Sequence, residues 1–126
     1  MSISSDKGKS FEQRIAKALR RHGVTAFRNK RSGAGDVYKA DIDAPGFRFS
    51  IEAKAQETIK LRDWWAQSCS ATPSYKEPML VVELNGEALS VVRLDDILEL
   101  ITTVAEDAKT IADLRSKLKS SKTFLE

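Results

Sequence analysis

The chain has one cysteine, Cys69, and one histidine, His22, in 126 residues. A lone thiol cannot close an internal disulfide, and without a Cys/His cluster no structural zinc site can be assembled. Long apolar runs are missing as well: no stretch approaches the roughly 20 residues that cross a bilayer. The opening M-S-I-S-S-D-K-G-K has no apolar block behind its charges, so it does not fit a signal peptide. Internal repeats and low-complexity segments are absent too. These absences together set the expectation of an intracellular, cytoplasmic protein.

What is present fits one domain with a single core, 1–126, at 41% hydrophobic and 31% charged residues. The net charge of +3 is distributed unevenly. Residues 1–40 hold ten Lys/Arg against three Asp/Glu, and the remaining 86 hold eleven against fifteen. A basic excess confined to the first third suits a phosphate backbone, and a solubilising surface would look the same.

Periodicity orders the elements. A helix is expected over Lys7–His22, with Phe11, Ile15, Ala18 and Leu19 on an apolar stripe and Arg14, Lys17, Arg20 and Arg21 on a basic one. Ser10 with Gln13 has the form of a capping box that would start the helix later, and Gly23 is placed to end it. Glu12 sits at the border of the apolar stripe, where a carboxylate can lean over a sheet or simply reach solvent. Val24–Arg28 reads as a strand, and Asn29–Tyr38, with two glycines, Lys30, Arg31 and Ser32, as a basic loop. A second helix is expected over Ile59–Ala71, with Trp64 and Trp65 packing inward and Lys60 and Gln67 on its flank. Met79–Leu84 reads as an interior strand, joined through Asn85-Gly86 to a partner strand at Leu89–Leu94. From Asp95 onward Ile97, Ile101, Val104, Ala108, Ile111 and Leu118 recur at helical steps. Thr110 followed by Asp113 suggests a second cap, hence two helices, whose apolar stripe could be a dimer surface or an appended hairpin.

The rest is organised around Lys39–Lys54, K-A-D-I-D-A-P-G-F-R-F-S-I-E-A-K. Read with period two, it is a pair of short strands joined at Pro45-Gly46. Asp41 and Glu52 then share a sheet face on strands about 4.8 Å apart, with Lys54 beside them. Two carboxylates so close repel unless one is protonated or a cation lies between them. The arrangement therefore reads as a metal site next to an ammonium, or else as the wet face of a half-buried hairpin. Asp36 and Asp43 compete with Asp41 for the first acidic position; Asp41 is preferred because its strand pairs with that of Glu52.

Asp41 followed by Glu52-Ala53-Lys54 resembles the PD-(D/E)xK nuclease signature. With Lys7-Gly8, Glu12, Phe27-Arg28 ahead of a Ser/Gly loop, and Trp64-Trp65-Ala66-Gln67, the chain looks like the archaeal-type Holliday junction resolvases and their phage-encoded relatives. The first motif reads Ala-Asp41 where many relatives have Pro-Asp or Gly-Asp, and Gln13 stands where archaeal members often have Arg. The resemblance covers residues 7–98 and leaves a C-terminal helical extension, about 99–126, without counterpart. It implies an α/β restriction-endonuclease-like fold: an αβββαβ core with a mixed central sheet flanked by helices, plus C-terminal helices.

The resemblance also implies a function. The chain would be a Mg²⁺-dependent endodeoxyribonuclease, with Mn²⁺ able to substitute, making paired nicks in four-way DNA junctions as a homodimer. Glu12, Asp41, Glu52, Lys54 and Gln67 would be catalytic. Asp41, Glu52, the Ala53 carbonyl and Glu12 would hold the metal. Arg14, Arg21, Arg28, Lys30, Arg31, Ser32 and Lys39 would carry the DNA backbone. A phage-encoded member would act in the host cytoplasm. The alternatives are another nuclease of the superfamily, of restriction or repair type, a non-catalytic DNA-binding module of the same fold, and a plain α/β protein-interaction domain.

Overall fold

The computed structural model describes residues 3–29 and 40–125, with side chains over 6–29 and 40–121. It separates into two units, Met1–Val92 and Arg93–Glu126.

The first unit opens with helix α1 (Ile3–Arg21), amphipathic as the spacing predicts. It begins before Ser10 and Gln13, so those residues lie inside the helix and do not cap it; Asp6, in the first turn, complements the helix dipole instead. The end is as expected. Gly23 takes φ 85°, its N–H reaches the Arg20 carbonyl (3.1 Å), and the Val24 N–H reaches Leu19 (3.0 Å), which is a Schellman closure.

Among the described residues five strands follow in spatial order β1 (Phe27–Arg28), β2 (Ile42–Asp43), β3 (Phe49–Lys54), β4 (Glu77–Leu84) and β5 (Glu87–Val91). Only β3 and β4 run parallel, so the sheet is mixed. Helix α2 (Leu61–Ala71) makes the crossover that parallel neighbours require. The αβββαβ order expected from the sequence is therefore present, with β5 added by a hairpin. At the hairpin tip Asn85 (φ 51°) and Gly86 (φ 82°) both adopt the left-handed conformation of a type I′ turn. Pro45-Gly46 turns the chain between β2 and β3 with Gly46 at φ 78°, as a type II turn demands.

The first two strands are shorter than Val24–Arg28 and Lys39–Asp43. The Ala26 carbonyl, which a longer β1 could have used, accepts instead from Arg20 Nη1 at 2.7 Å. Asp41 lies just outside β2 but keeps its place in the sheet. Its N–H donates to Ile51 (3.1 Å) and its carbonyl accepts from the Asn29 N–H (2.8 Å).

Alternation along β4 sends Val81 to one face and Leu80 and Val82 to the other. Val81 joins Phe11, Ile15, Ile42 and Ile51 in the cluster built on α1, while Leu80 and Val82 pack with Trp64 of α2. The two helices thus cover opposite faces of the sheet, and Trp64 serves packing, as read from the sequence. The buried Lys76 donates from Nζ to the Ala44 carbonyl (2.8 Å), tying the segment before β4 to the Pro45-Gly46 turn.

The second unit is a single helix, α3 (Leu94–Leu125), of 32 residues. The expected break at Thr110–Asp113 does not occur. No Gly or Pro follows Gly86, so nothing interrupts the backbone ladder, and local caps lose to helix continuation. Among the described residues no helix is long and apolar enough to cross a membrane.

Candidate active site

The antiparallel pairing Ile42↔Ile51, with the Asp41 N–H donating to the Ile51 carbonyl, brings Asp41 beside Glu52, and the two carboxyl groups interact. Opposed residues of an antiparallel pair point to the same face, and Lys54, two positions on, joins them. The Ala53 N–H donates to Asp41 Oδ2 at 2.8 Å, holding that carboxylate in place, and Lys54 Nζ stands 3.7 Å from Glu52 Oε1. Glu12 arrives from α1. Arg28 of β1 donates from Nε to Glu12 Oε2 at 2.8 Å, both side chains being largely buried. These groups open on a cleft of about 940 Å³, also lined by Lys7, Gly8, Gln56, Thr58, Lys60 and Gln67.

Electrostatics follow from burial. Glu52 is only 5% exposed, and desolvation followed by the nearby Asp41 pushes its pKa up to about 7, against the pull of Lys54. Asp41 is also raised, chiefly by burial, with the Ala53 N–H and Lys54 opposing the rise. Burial and then Asp41 raise Glu12, while Arg28 and Lys54 hold it down. Burial thus raises all three carboxyl groups and Asp41 raises both of the others, which is the electrostatic setting of a cation site.

The donor set consists of oxygen only and suits a hard divalent ion. Among the described residues no group of three or more His, Cys, Asp or Glu closes into a cage.

The structure brings together Glu12, Asp41, Glu52, Ala53, Lys54 and Gln67, all at the one cleft. Arg28 is not among the residues that line the cleft and is linked to it through Glu12, to which it donates, a pairing sequence reasoning missed. No local sequence signal marks it, because the pair joins α1 to β1 across the fold. Arg14 and Arg21 lie elsewhere, on a groove of about 630 Å³ beside Met79 and Leu89. Arg14 pairs there with Glu83 (3.2 Å) and donates to the Gly86 carbonyl (2.8 Å). Helical rotation spreads the basic residues of α1 around its surface, so the stripe does not lead to one place. Lys7 and Lys60 are the cations that line the cleft from the helical side, and Thr58 and Gln56 were not anticipated. Lys30, Arg31, Ser32, Asp36 and Lys39 fall outside the described residues. Asp43 sits in β2 two residues beyond Asp41 and does not line the cleft.

A mixed sheet between two helices, carrying Asp and Glu-x-Lys on adjacent strands with a helical Glu above them, is the core of a PD-(D/E)xK nuclease. A family model described as "Phage putative PDDEXK endonuclease" matches residues 3–124, and the chain belongs to that family. Among solved structures it is similar to Hjc, a Holliday junction resolvase from the archaeal hyperthermophile Archaeoglobus fulgidus. The identity is 16% over 68% of this chain and 88% of that one, with a TM-score of 0.42. No curated protein matches the chain.

Proposed function

We propose that the chain is a divalent-metal-dependent, structure-selective DNA endonuclease that hydrolyses phosphodiesters in four-way junctions as a homodimer, acting in the cytoplasm. The observation that carries the chemistry is the Asp41–Glu52 pair held across two strands with Lys54 beside it, at an open cleft. A module that only binds DNA has no use for converging carboxylates, because they repel phosphate until a cation neutralises them. Junction selectivity rests on the residues that resemble the resolvases: Lys7-Gly8, Glu12, Phe27-Arg28, Asp41, Glu52-Ala53-Lys54 and Trp64-Trp65-Ala66-Gln67.

Asp41, Glu52 and the Ala53 carbonyl would hold a Mg²⁺, or Mn²⁺ in its place, with Glu12 contributing at the cleft wall. The ion supplies Lewis acidity toward the phosphate and acidifies water. The protein's own groups do the rest. The Ala53 N–H fixes the Asp41 carboxylate beside Glu52 at the cleft. Arg28 keeps Glu12 turned to the same place and offsets part of the rise that burial and Asp41 impose on it. Lys54 orients the attacking water and meets the negative charge that builds on the phosphate oxygens. Gln67 positions the phosphate or the water from α2. Lys7 and Lys60 supply contacts to the backbone, which bind without reading bases, so selectivity comes from DNA shape.

The test is cleavage of a labelled four-way junction beside matched linear duplex, with and without Mg²⁺, with Glu52→Ala as control. Paired nicks on the junction alone, dependent on metal and lost in the control, are expected. Equal cutting of the duplex would replace junction resolution by general nuclease activity. Binding without cutting in either Mg²⁺ or Mn²⁺ would remove the catalytic reading.

A further inference from the structure

On α3, apolar side chains that would ordinarily be covered are exposed. Ile97, Ile101, Val104, Ile111, Leu114 and Leu118 are between 39% and 67% accessible. With Ala108 they form a seam whose six steps cover 21 residues, about 3.5 per step, the coiled-coil period. An intramolecular hairpin is not available to cover this seam, since the helix is continuous.

Leu94 and Leu98, also exposed at the start of α3, lie outside the seam; the six large apolar residues within it are spaced symmetrically. From Ile97 the spacings to Ile101, Val104, Ile111, Leu114 and Leu118 are four, three, seven, three and four residues, the same read from either end. The charges follow the opposite rule. Asp95, Asp96, Glu99, Glu106 and Asp107 occupy the first half without a single Lys or Arg. Lys109, Arg115, Lys117 and Lys119 follow in the second half, against Asp113. A parallel pair would lay acid on acid and base on base. An antiparallel pair lays each acidic half along a basic one.

We infer that α3 pairs with α3 of a second copy, antiparallel, about a two-fold axis at Asp107–Ala108. Ile97 then faces Leu118 of the second copy, Ile101 faces Leu114, and Val104 faces Ile111, in layers spanning about 32 Å. The small Ala108 sits at the dyad, where the helices can approach closely. The exposed Asp95 flanks the end that carries Lys117 and Lys119 of the second copy, which fixes orientation as opposite charges at the edges of a coiled coil do. A two-fold contact of this kind is closed, each copy using the same surface. The pairing deepens the homodimer of the proposed function, but it is read on the chain without DNA. A failure here and a failure of junction cleavage are therefore separate results.

The experiment is sedimentation velocity of the full chain without DNA, joined to disulfide trapping. The wild type is expected to run as a dimer, and Ile101→Asp as a monomer with unchanged helical content by circular dichroism. In a Cys69→Ser background, Val104→Cys mixed with Ile111→Cys is expected to yield a cross-linked heterodimer, while either variant alone stays uncross-linked. A wild-type monomer at the highest soluble concentration would overturn the inference. So would the Val104→Cys variant alone cross-linking to itself as fast as the mixture does, because that requires parallel helices. Sedimentation as a trimer or larger species would overturn it as well.

Discussion

The cleft and α3 treat charge in opposite ways. At the cleft, like charges from distant parts of the sequence are driven together: Glu12, Asp41 and Glu52 share one wall, and burial beside one another raises their pKa values. Along α3, unlike charges are kept apart by half a helix length, in a segment that is contiguous in the sequence. The first arrangement costs stability unless something positive arrives. The second costs nothing within the helix and gains only when another helix lies against it. Both are therefore incomplete as they stand, one toward a cation and the other toward a second copy.

The largest test of the contrast removes the cleft's charge. Glu52→Ala, Asp41→Ala or chelation of divalent metal is expected to lower cleavage by at least ~10²–10³-fold, the scale at which removed transition-state stabilisation is usually felt. Loss of cutting with DNA binding retained is the expected pattern in a gel-shift and cleavage pair. Unchanged cleavage in Asp41→Ala would move the acidic role to a neighbour.

Stability should move the other way. With the Glu52 pKa at about 7 in the fold and 4.5 ordinarily, the metal-free folded chain holds a proton between those values that the unfolded chain has released. Its stability therefore falls as pH rises through that window, and the full penalty, on the order of 3 kcal/mol, stands above about pH 7. Glu52→Gln is expected to remove most of this penalty, raising the metal-free Tm at pH 8 and flattening its pH dependence while abolishing cleavage. A metal-free Tm at pH 8 that fell in the variant would contradict the electrostatic account. By the same sign, apparent metal affinity should weaken as pH falls below about 7, readable by calorimetric titration.

A smaller effect separates the two kinds of arginine. Arg28→Ala leaves Glu12 largely buried beside Asp41 without its partner. The expected cost is about 1–2 kcal/mol in chemical denaturation, together with reduced cleavage. Arg14→Ala breaks an exposed contact to Glu83 away from the cleft. Its expected change is within about 0.5 kcal/mol, with cleavage intact. Equal effects of the two on cleavage would mean that Arg14 also serves the DNA.

Sequence reasoning went furthest where geometry is periodic and local. Asp41, Glu52 and Lys54 were placed on one face because alternation and a Pro-Gly turn leave few registers, and the Asn85-Gly86 hairpin was legible for the same reason. It went wrong where two local rules compete. Ser10/Gln13 and Thr110/Asp113 both have capping chemistry, yet both lie inside helices, since a cap has force only where the helix is already due to end. It was silent on the pairing of Arg28 with Glu12, because an ion pair between α1 and β1 depends on how the chain returns.

Composition, alternation and turn chemistry were enough by themselves to determine the order of helices and strands in an αβββαβ core, an acidic pair with a lysine, and the helical character of the C-terminal segment, though not its continuity as one helix. These follow from backbone sterics and the period of each element, which act over a few residues. Tertiary structure alone decided that Glu12 is held by Arg28, that Arg14 and Arg21 leave the cleft for another groove, and that Glu52 is buried enough to titrate near 7. Those outcomes depend on which surfaces lose water together, and desolvation is a property of the packed molecule that no single stretch of sequence contains.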